Sequence, residues 1–307
     1  MIARGIKVRA LVRPKRTDLA WITDLPIDVV RGDLLEPSSL SLAVQDVDFI
    51  IHIAGVTKAK RRKEFFLGNV VATRNLLELA SKSTRLKKFC HLSSLTVAGP
   101  SLDGSPLDEE APANPISTYG RSKLEGERSC LSYGSSLPLV ILRPPTVYGP
   151  RDKDVLEMFK ATKLGLQPSI GSRNKTLSLL FGPDLAKAIV EATLSEKTSG
   201  NTYYVSDPRI YSQTHLFDIL TSLVGGKSLR MKLPSFLIYS VAAIVEAVSF
   251  FAPNPAVLSI EKARDLLQDH WVCNPDKFRK EIGFETKTGA EEGLRTTYSW
   301  YKDNNWL

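Results

Sequence analysis

Tyr119 and Lys123 stand four residues apart in "STYGRSK", a spacing that puts a phenol and an ammonium on one face of a helix. A phenol alone has a pKa of about 10 and exchanges protons poorly at neutral pH. A neighbouring ammonium favours the phenolate, so the two together can serve as an acid/base. Tyr-x-x-x-Lys by itself is weak, because chance and surface pairing produce it often. Its surroundings add weight. Upstream, "FCHLSSLTVAGP" reads as a strand ending in Ser93-Ser94, and a hydroxyl at the carboxyl end of a parallel strand sits where α/β folds bind ligands. Downstream, "LVILRPPTVYGPR" is a strand followed by Pro144-Pro145-Thr146-Val147. The prolines fix φ and lack donors, which leaves the amides of Thr146 and Val147 open to a ligand.

These residues need a scaffold, and the sequence supplies an alternating one. Apolar runs at Ile6–Val12, Ile27–Val30, Phe49–Ile53, Lys88–Leu92 and Leu139–Leu142 read as strands, and their near-continuous apolar character suits strands covered on both faces. Helices are expected between them at Ser38–Val44, Glu64–Ala80 and Ser117–Ser132. In "NVVATRNLLELA" the apolar residues recur at helical spacing. The expectation is a doubly wound parallel α/β sheet over 1–150 and a smaller, mostly helical lobe over 151–307, with 177–205 returning to the first unit. In the second half, helices are expected at Asp154–Thr162, Asp184–Leu194, Ser212–Leu223, Ser235–Phe251, Ser259–Leu267, Pro275–Glu281 and Ala290–Lys302, with a strand at Asn201–Val205. The segment Leu233–Pro253, "LPSFLIYSVAAIVEAVSFFAP", approaches membrane-span length but contains Glu246 and is bracketed by prolines. A core or crevice-lining helix is the favoured reading, ahead of a helix lying on a membrane surface and of a true span.

The chain has 307 residues, 43% hydrophobic and 24% charged, and a net charge of +8. That balance is ordinary for a soluble globular protein. The basic clusters Arg13–Arg16, Lys58–Lys63 and Arg85–Lys88 come without a nucleic-acid-binding motif, so solvated or cofactor-facing charge is expected and nucleic acid is not. Cys90, Cys130 and Cys273 are odd in number and lack metal-ligand spacing. They read as thiols in a reducing cytosol, and no metal is expected. The first residues show no apolar run before a cleavage site, and a cytoplasmic or membrane-associated enzyme is expected. His52 and His91 read as core histidines, and Asp108-Glu109-Glu110 as a solvated loop. Oligomeric state is left open, a homodimer included.

Taken in order and spacing, "RGDLLEP", "IIHIAGVT", "NVVATRNLLE", "SSLTVAGP", "YGRSK" and "RPPTVYGP" resemble the extended short-chain dehydrogenase/reductase superfamily, in its 3β-hydroxysteroid dehydrogenase-like and NAD(P)-dependent epimerase/dehydratase branch. The resemblance implies that Tyr119 exchanges a proton with the substrate oxygen, that Ser94 aligns that oxygen, and that Lys123 holds the nicotinamide ribose and depresses the tyrosine pKa. It implies that Asp33 and the Leu34 amide meet the adenine, that Ala54, Gly55 and Val56 pass close to the cofactor, and that Pro144 and Val147 flank the carboxamide. Asn69 matches a helix asparagine that supports the site. Ser93 is the alternative hydroxyl, a turn cap before Pro37 the alternative for Asp33, and a helix N-cap the alternative for Asn69. After the first strand the turn reads Arg13-Pro14-Lys15-Arg16. A carboxylate there would suit a ribose 2′-hydroxyl and arginine a 2′-phosphate, so NADP is preferred over NAD.

In the family a strand, a Gly-x-x-Gly-x-x-Gly turn and most of a helix come before the segment that "RGIKVRALVR" resembles, so a sheet lacking its first strand and glycine-rich loop is expected, as from an N-terminally truncated chain. The function the resemblance implies is an oxidoreductase acting on a secondary alcohol or ketone, steroid- or terpenoid-like. The alternatives are a nucleotide-sugar epimerase using the same three residues and a non-catalytic fragment. Leu95-Thr96 follows Ser94 where a dehydratase places an acid pair, which argues against dehydration.

Overall fold

A computed structural model describes the chain except residues 21, 171–174, 250 and 253–257. Its first half alternates strand and helix. The elements are β1 (Val8–Val12), β2 (Ile27–Arg31), α1 (Ser41–Val44), β3 (Phe49–His52), α2 (Arg62–Phe66), α3 (Ala72–Ala80), β4 (Lys88–Leu92), α4 (Thr118–Leu131) and β5 (Leu139–Arg143). All five expected strands form, each within two residues of its expected ends. The helix expected over Glu64–Ala80 is interrupted by a π turn at Leu67–Val71, which turns Asn69 and Val70 inward. Such single π turns recur at functional sites.

The strands make two separate parallel sheets. One pairs β1 with β2, Val8 opposite Ile27. The other runs β3-β4-β5-β9, where β9 is Asn201–Tyr204. Among the described residues, β1 and β3 each have one strand partner only. The consequence is visible in burial: β5 is buried from Leu139 through Leu142, whereas Phe49, Ile50 and Ile51 of β3 are only half-buried. The residues of α3 expected to face inward do so, with Leu77 and Ala80 sealed against Phe89 and Ile141. A side chain such as Leu77 contributes about 1.5–3 kcal/mol by such burial.

The remaining elements are β6 (Thr146–Tyr148), α5 (Lys153–Lys163), β7 (Leu166–Ile170), β8 (Thr176–Phe181), α6 (Gly182–Leu194), β10 (Ile210–Ser212), α7 (Gln213–Val224), β11 (Leu229–Leu233), α8 (Ser235–Ser249), α9 (Ile260–Leu267), β12 (His270–Trp271), α10 (Asp276–Ile282) and α11 (Ala290–Asp303). The helices match expectation. The strands β7, β10, β11 and β12 are additions to it. They form a β10-β8-β12 sheet and a β11-β7 pair. Stretches such as "LQPSI" and "LRMKL" are short and half polar, so their strand character comes from partners distant in sequence. Core residues Phe159, Leu220 and Tyr301 knit α5, α7 and α11 together.

Two expectations are corrected. The apolar segment after Leu233, expected as a core or crevice-lining helix, does not pack in the core: among the described residues α8 buries only Ile238 and Ala242, against α9, and most of its remaining apolar side chains face outward. Residues 250 and 253 of that segment lie outside the described residues. Among the described residues no helix is long and apolar enough to cross a membrane. Glu109 is not solvated either; its carboxylate accepts the Tyr204 amide at 2.7 Å, and burial raises its pKa.

Candidate active site

The helix that carries the candidate acid/base is capped at its first turn. Ser117 ends the preceding extended segment and its hydroxyl accepts from the Gly120 amide, as an N-cap serine does. Glu261 of α9 adds a second cap, accepting from the Thr118 amide at 3.0 Å and from its hydroxyl at 2.6 Å. Two close approaches seat the helix. A Cβ on Gly120 would lie 2.6 Å from the Thr96 carbonyl oxygen, and one on Gly126 would lie 2.7 Å from that of Asn69. Only glycine allows both contacts.

So placed, α4 brings Tyr119 and Lys123 to the carboxyl ends of β3 and β4. Lys123 is 5% exposed, and its ammonium donates to the Leu92 carbonyl at 2.6 Å. Burial lowers its pKa to about 8. Ser94 is also buried; its Oγ accepts from the Thr96 amide at 3.2 Å and the Thr96 hydroxyl at 2.9 Å. Of the two serines it is Ser94 that acts on the Tyr119 phenol, favouring its ionised form. Ser93 instead points its hydroxyl into the core without a partner among the described residues. The three expected catalytic residues therefore converge.

Their electrostatics differ from the expectation of a depressed tyrosine. Burial pushes the Tyr119 phenol up, the Ser94 hydroxyl only partly opposes it, and the Asp265 carboxylate adds to the rise. The Lys123 ammonium is drawn to the Leu92 carbonyl. His52 and His91 lie beneath the site as expected, fully buried. Desolvation holds His52 at about 3 and His91 well below the ordinary imidazole value.

Asn69 is neither an N-cap nor open to the cleft. Its Oδ1 accepts from the Val56 amide at 2.7 Å, and its Nδ2 donates to the Val56 carbonyl at 2.9 Å and to Ser122 Oγ at 2.8 Å. It fastens the loop after β3 to the catalytic helix. Ala54 and Gly55 of that loop are exposed. A Cβ at Gly55 would sit 3.0 Å from Asn69 Oδ1 and 3.8 Å from Lys123 Nζ. Glycine at this position keeps the space between the loop, Asn69 and Lys123 clear of a side chain. The Pro144 carbonyl accepts the Leu95 amide at 2.9 Å, tying the Pro-Pro segment to the serine loop, and Val147 continues it as β6 beside Leu180.

The expected adenine-side residues stand on the smaller sheet. Asp33 Oδ1 accepts the Leu35 amide at 2.9 Å, and the Leu34 carbonyl accepts from Asn75 at 2.8 Å. Arg13 is exposed, and the turn it begins is gathered by Arg31, whose Nη1 donates to the carbonyls of Arg13, Pro14 and Arg16. No Gly-x-x-Gly-x-x-Gly run occurs in the sequence. Sequence reasoning missed Phe65, whose ring lies 6.4 Å from that of Tyr119, and the α9 carboxylates Glu261 and Asp265. Their four-residue spacing was a readable sign of a shared helix face.

A parallel α/β fold with serine, tyrosine and lysine meeting at its strand ends defines the extended short-chain dehydrogenase/reductase class. The family model described as "NAD dependent epimerase/dehydratase family" matches residues 1–206, and the chain belongs to that family of enzymes. Among curated relatives, ceramide reductase of Caulobacter vibrioides is 29% identical over 305 residues, covering 99% of this chain and 89% of that protein. The 2-alkyl-3-oxoalkanoate reductase of Shewanella oneidensis is 24% identical over 314 residues, covering 96% and 80%. Among solved structures, that of gox2253 superposes with a TM-score of 0.81 at 24% identity, covering 100% of this chain and 93% of that one. UDP-glucuronic acid 4-epimerase from Bacillus cereus, in complex with UDP-glucuronic acid and NAD, gives 0.77 at 21%, covering 98% and 92%.

Proposed function

We propose that this protein is an NAD(P)-dependent oxidoreductase that interconverts a ketone and a secondary alcohol on an apolar, lipid-like molecule. The convergence of Ser94, Tyr119 and Lys123 carries the reading. The cofactor, when bound, supplies or takes up the hydride. Gly55 and Lys123 would hold its nicotinamide ribose, Val147 its carboxamide, and Asp33 with Leu34 its adenine. Ser94 Oγ fixes the substrate oxygen, and the Tyr119 hydroxyl gives it a proton during reduction and takes one during oxidation. A phenol with a raised pKa is protonated at neutral pH, so the resting site is set for proton donation. The exposed Arg13–Arg16 turn favours a 2′-phosphate, hence NADP(H).

The apolar substrate is supported by the Phe65 ring beside Tyr119 and by two relatives whose names describe reductases of ceramide and of an alkylated oxoalkanoate. It also agrees with the resemblance to the 3β-hydroxysteroid dehydrogenase-like branch. Nucleotide-sugar epimerisation is the second reading, supported by the Bacillus cereus epimerase among the structural neighbours. Purified protein is titrated with NADPH and NADH by nicotinamide fluorescence, then assayed on 3-oxoacyl lipids, hydroxysteroids and UDP-sugars. Turnover of UDP-sugars alone refutes the lipid reading. Tyr119→Phe is expected to lower turnover by at least about a hundredfold while cofactor binding persists; retained turnover would remove Tyr119 as the proton donor.

A further inference from the structure

Helix α8 has an outward face of unusual character. A surface helix ordinarily shows polar residues to solvent. Here the outward residues include Phe236, Tyr239, Val241, Ile244 and Val248, with Phe236 70%, Ile244 64% and Val248 65% exposed. The one charged residue of the helix, Glu246, is turned aside, its carboxylate accepting the Ile260 amide at 2.9 Å. At 15 residues the helix is about 22 Å long, too short to span a bilayer but suited to lying in its surface.

A basic run borders this face. Lys60 Nζ donates to the carbonyl of Ala252, just past the end of α8. Arg61, Arg62 and Lys63 are exposed beside it at the start of α2. Arg62 lies 3.8 Å from Glu261, and Lys58 shares Asp154 with Lys262. Among the described residues, Arg61 and Lys63 have no carboxylate at ion-pair distance. An apolar helix edged by cations matches the chemistry of an anionic bilayer, where acyl chains take the apolar face and lipid headgroups the charges. A second copy fits less well. Its equivalent surface offers another apolar helix and another basic run, with no free acid on α8 to meet them.

We propose that α8 and the Lys58–Lys63 run form a peripheral docking surface for an anionic lipid bilayer. Elements adjoining this surface wall the candidate site: Phe65 of α2 lies beside Tyr119, and α9, on which α8 packs, caps the helix that carries Tyr119. Docking in this pose sets the site entrance at the membrane, so that an apolar substrate reaches it without crossing water. That consequence rests on the lipid-like substrate reading; the docking itself does not.

The test uses the full chain without cofactor or substrate, so it stands or falls apart from the catalytic reading. Co-sedimentation is measured with vesicles of phosphatidylcholine alone and of phosphatidylcholine mixed with phosphatidylglycerol. Binding is expected to the mixed vesicles and to weaken with salt. The double variant Ile244→Glu/Val248→Glu is expected to lose it by tenfold or more. Both positions are solvent-facing, and an unchanged melting temperature checks that the variant folds. Arg61→Gln/Lys63→Gln is expected to weaken binding about 25-fold, at about fivefold per charge. Equal binding to neutral vesicles, unaltered binding by either variant, or no binding overturns the proposal. So does a dimer in light scattering that Ile244→Glu/Val248→Glu converts to monomer, which would assign the face to a second copy.

Discussion

Lys123 is an ammonium buried at the expense of the fold, and replacing it with methionine measures that expense. A lysine titrating at about 8 rather than at its ordinary 10.5 is disfavoured in its charged form by about 3 kcal/mol. Methionine fills nearly the same volume without the charge, and the loss of the 2.6 Å bond to the Leu92 carbonyl offsets about 1 kcal/mol of the gain. Lys123→Met is therefore expected to be more stable by about 2 kcal/mol at neutral pH. With a urea slope near 3 kcal/mol/M, that raises the midpoint by about 0.7 M. The sign of the pH dependence adds a second check. Between about 8 and 10.5 the unfolded chain holds the lysine proton and the fold releases it, so this residue makes the wild type more stable as pH rises through that window. The variant lacks this contribution, and its advantage should shrink between neutral pH and about pH 10. Urea denaturation of both proteins at the two pH values decides it. A variant that is less stable at neutral pH, or whose advantage is independent of pH, would refute the argument that a buried ammonium is being carried for function.

Three further outcomes follow from the same contacts. Asn69→Asp keeps the acceptor for the Val56 amide but loses both donated bonds, so it should weaken cofactor binding less than Asn69→Ala, and the alanine variant should lose about 1–3 kcal/mol of stability in denaturant titration. Gly68→Ala would set a Cβ 2.3 Å from Val56 Cγ2; it should cost about 1–3 kcal/mol and weaken nicotinamide fluorescence titrations by displacing the same loop. His52 titrates at about 3 in the fold and near 6.5 when unfolded, so the fold loses stability as pH falls through that range, and His52→Gln should flatten the acid limb of a urea-midpoint-against-pH plot.

The strands of the first half were legible because a strand covered on both faces reads as an unbroken apolar run, and "FCHL" and "LVIL" are such runs. The candidate trio was legible for a different reason: the Tyr119–Lys123 spacing is local to one helix, and Ser94 follows a strand. What the sequence hid is long-range or context-dependent. The π turn at Leu67–Val71 leaves no composition signature, yet it aims Asn69 at Val56 rather than at a helix end. Strands β7 and β11 exist through each other across sixty residues of chain. The tyrosine's raised pKa was hidden too, since spacing says that an ammonium is near but not that a backbone carbonyl holds it.

The α8 segment shows how far apolar periodicity can mislead. Its hydropathy is compatible with a core helix, and only placement distinguishes a helix packed on all sides from one packed along a single stripe. That placement also joins the apolar face to the candidate site. Glu261 and Asp265 stand one helical turn apart on α9 and both bear on the first turn of α4: Glu261 holds Thr118, and the Asp265 carboxylate raises the Tyr119 pKa. Burial lifts Asp265 itself to about 6. Any shift of α9 therefore alters the cap, the charge next to the phenol and the α8 face together. The helix that presents apolar surface to the exterior is one packing contact from the carboxylates that cap α4 and bear on Tyr119.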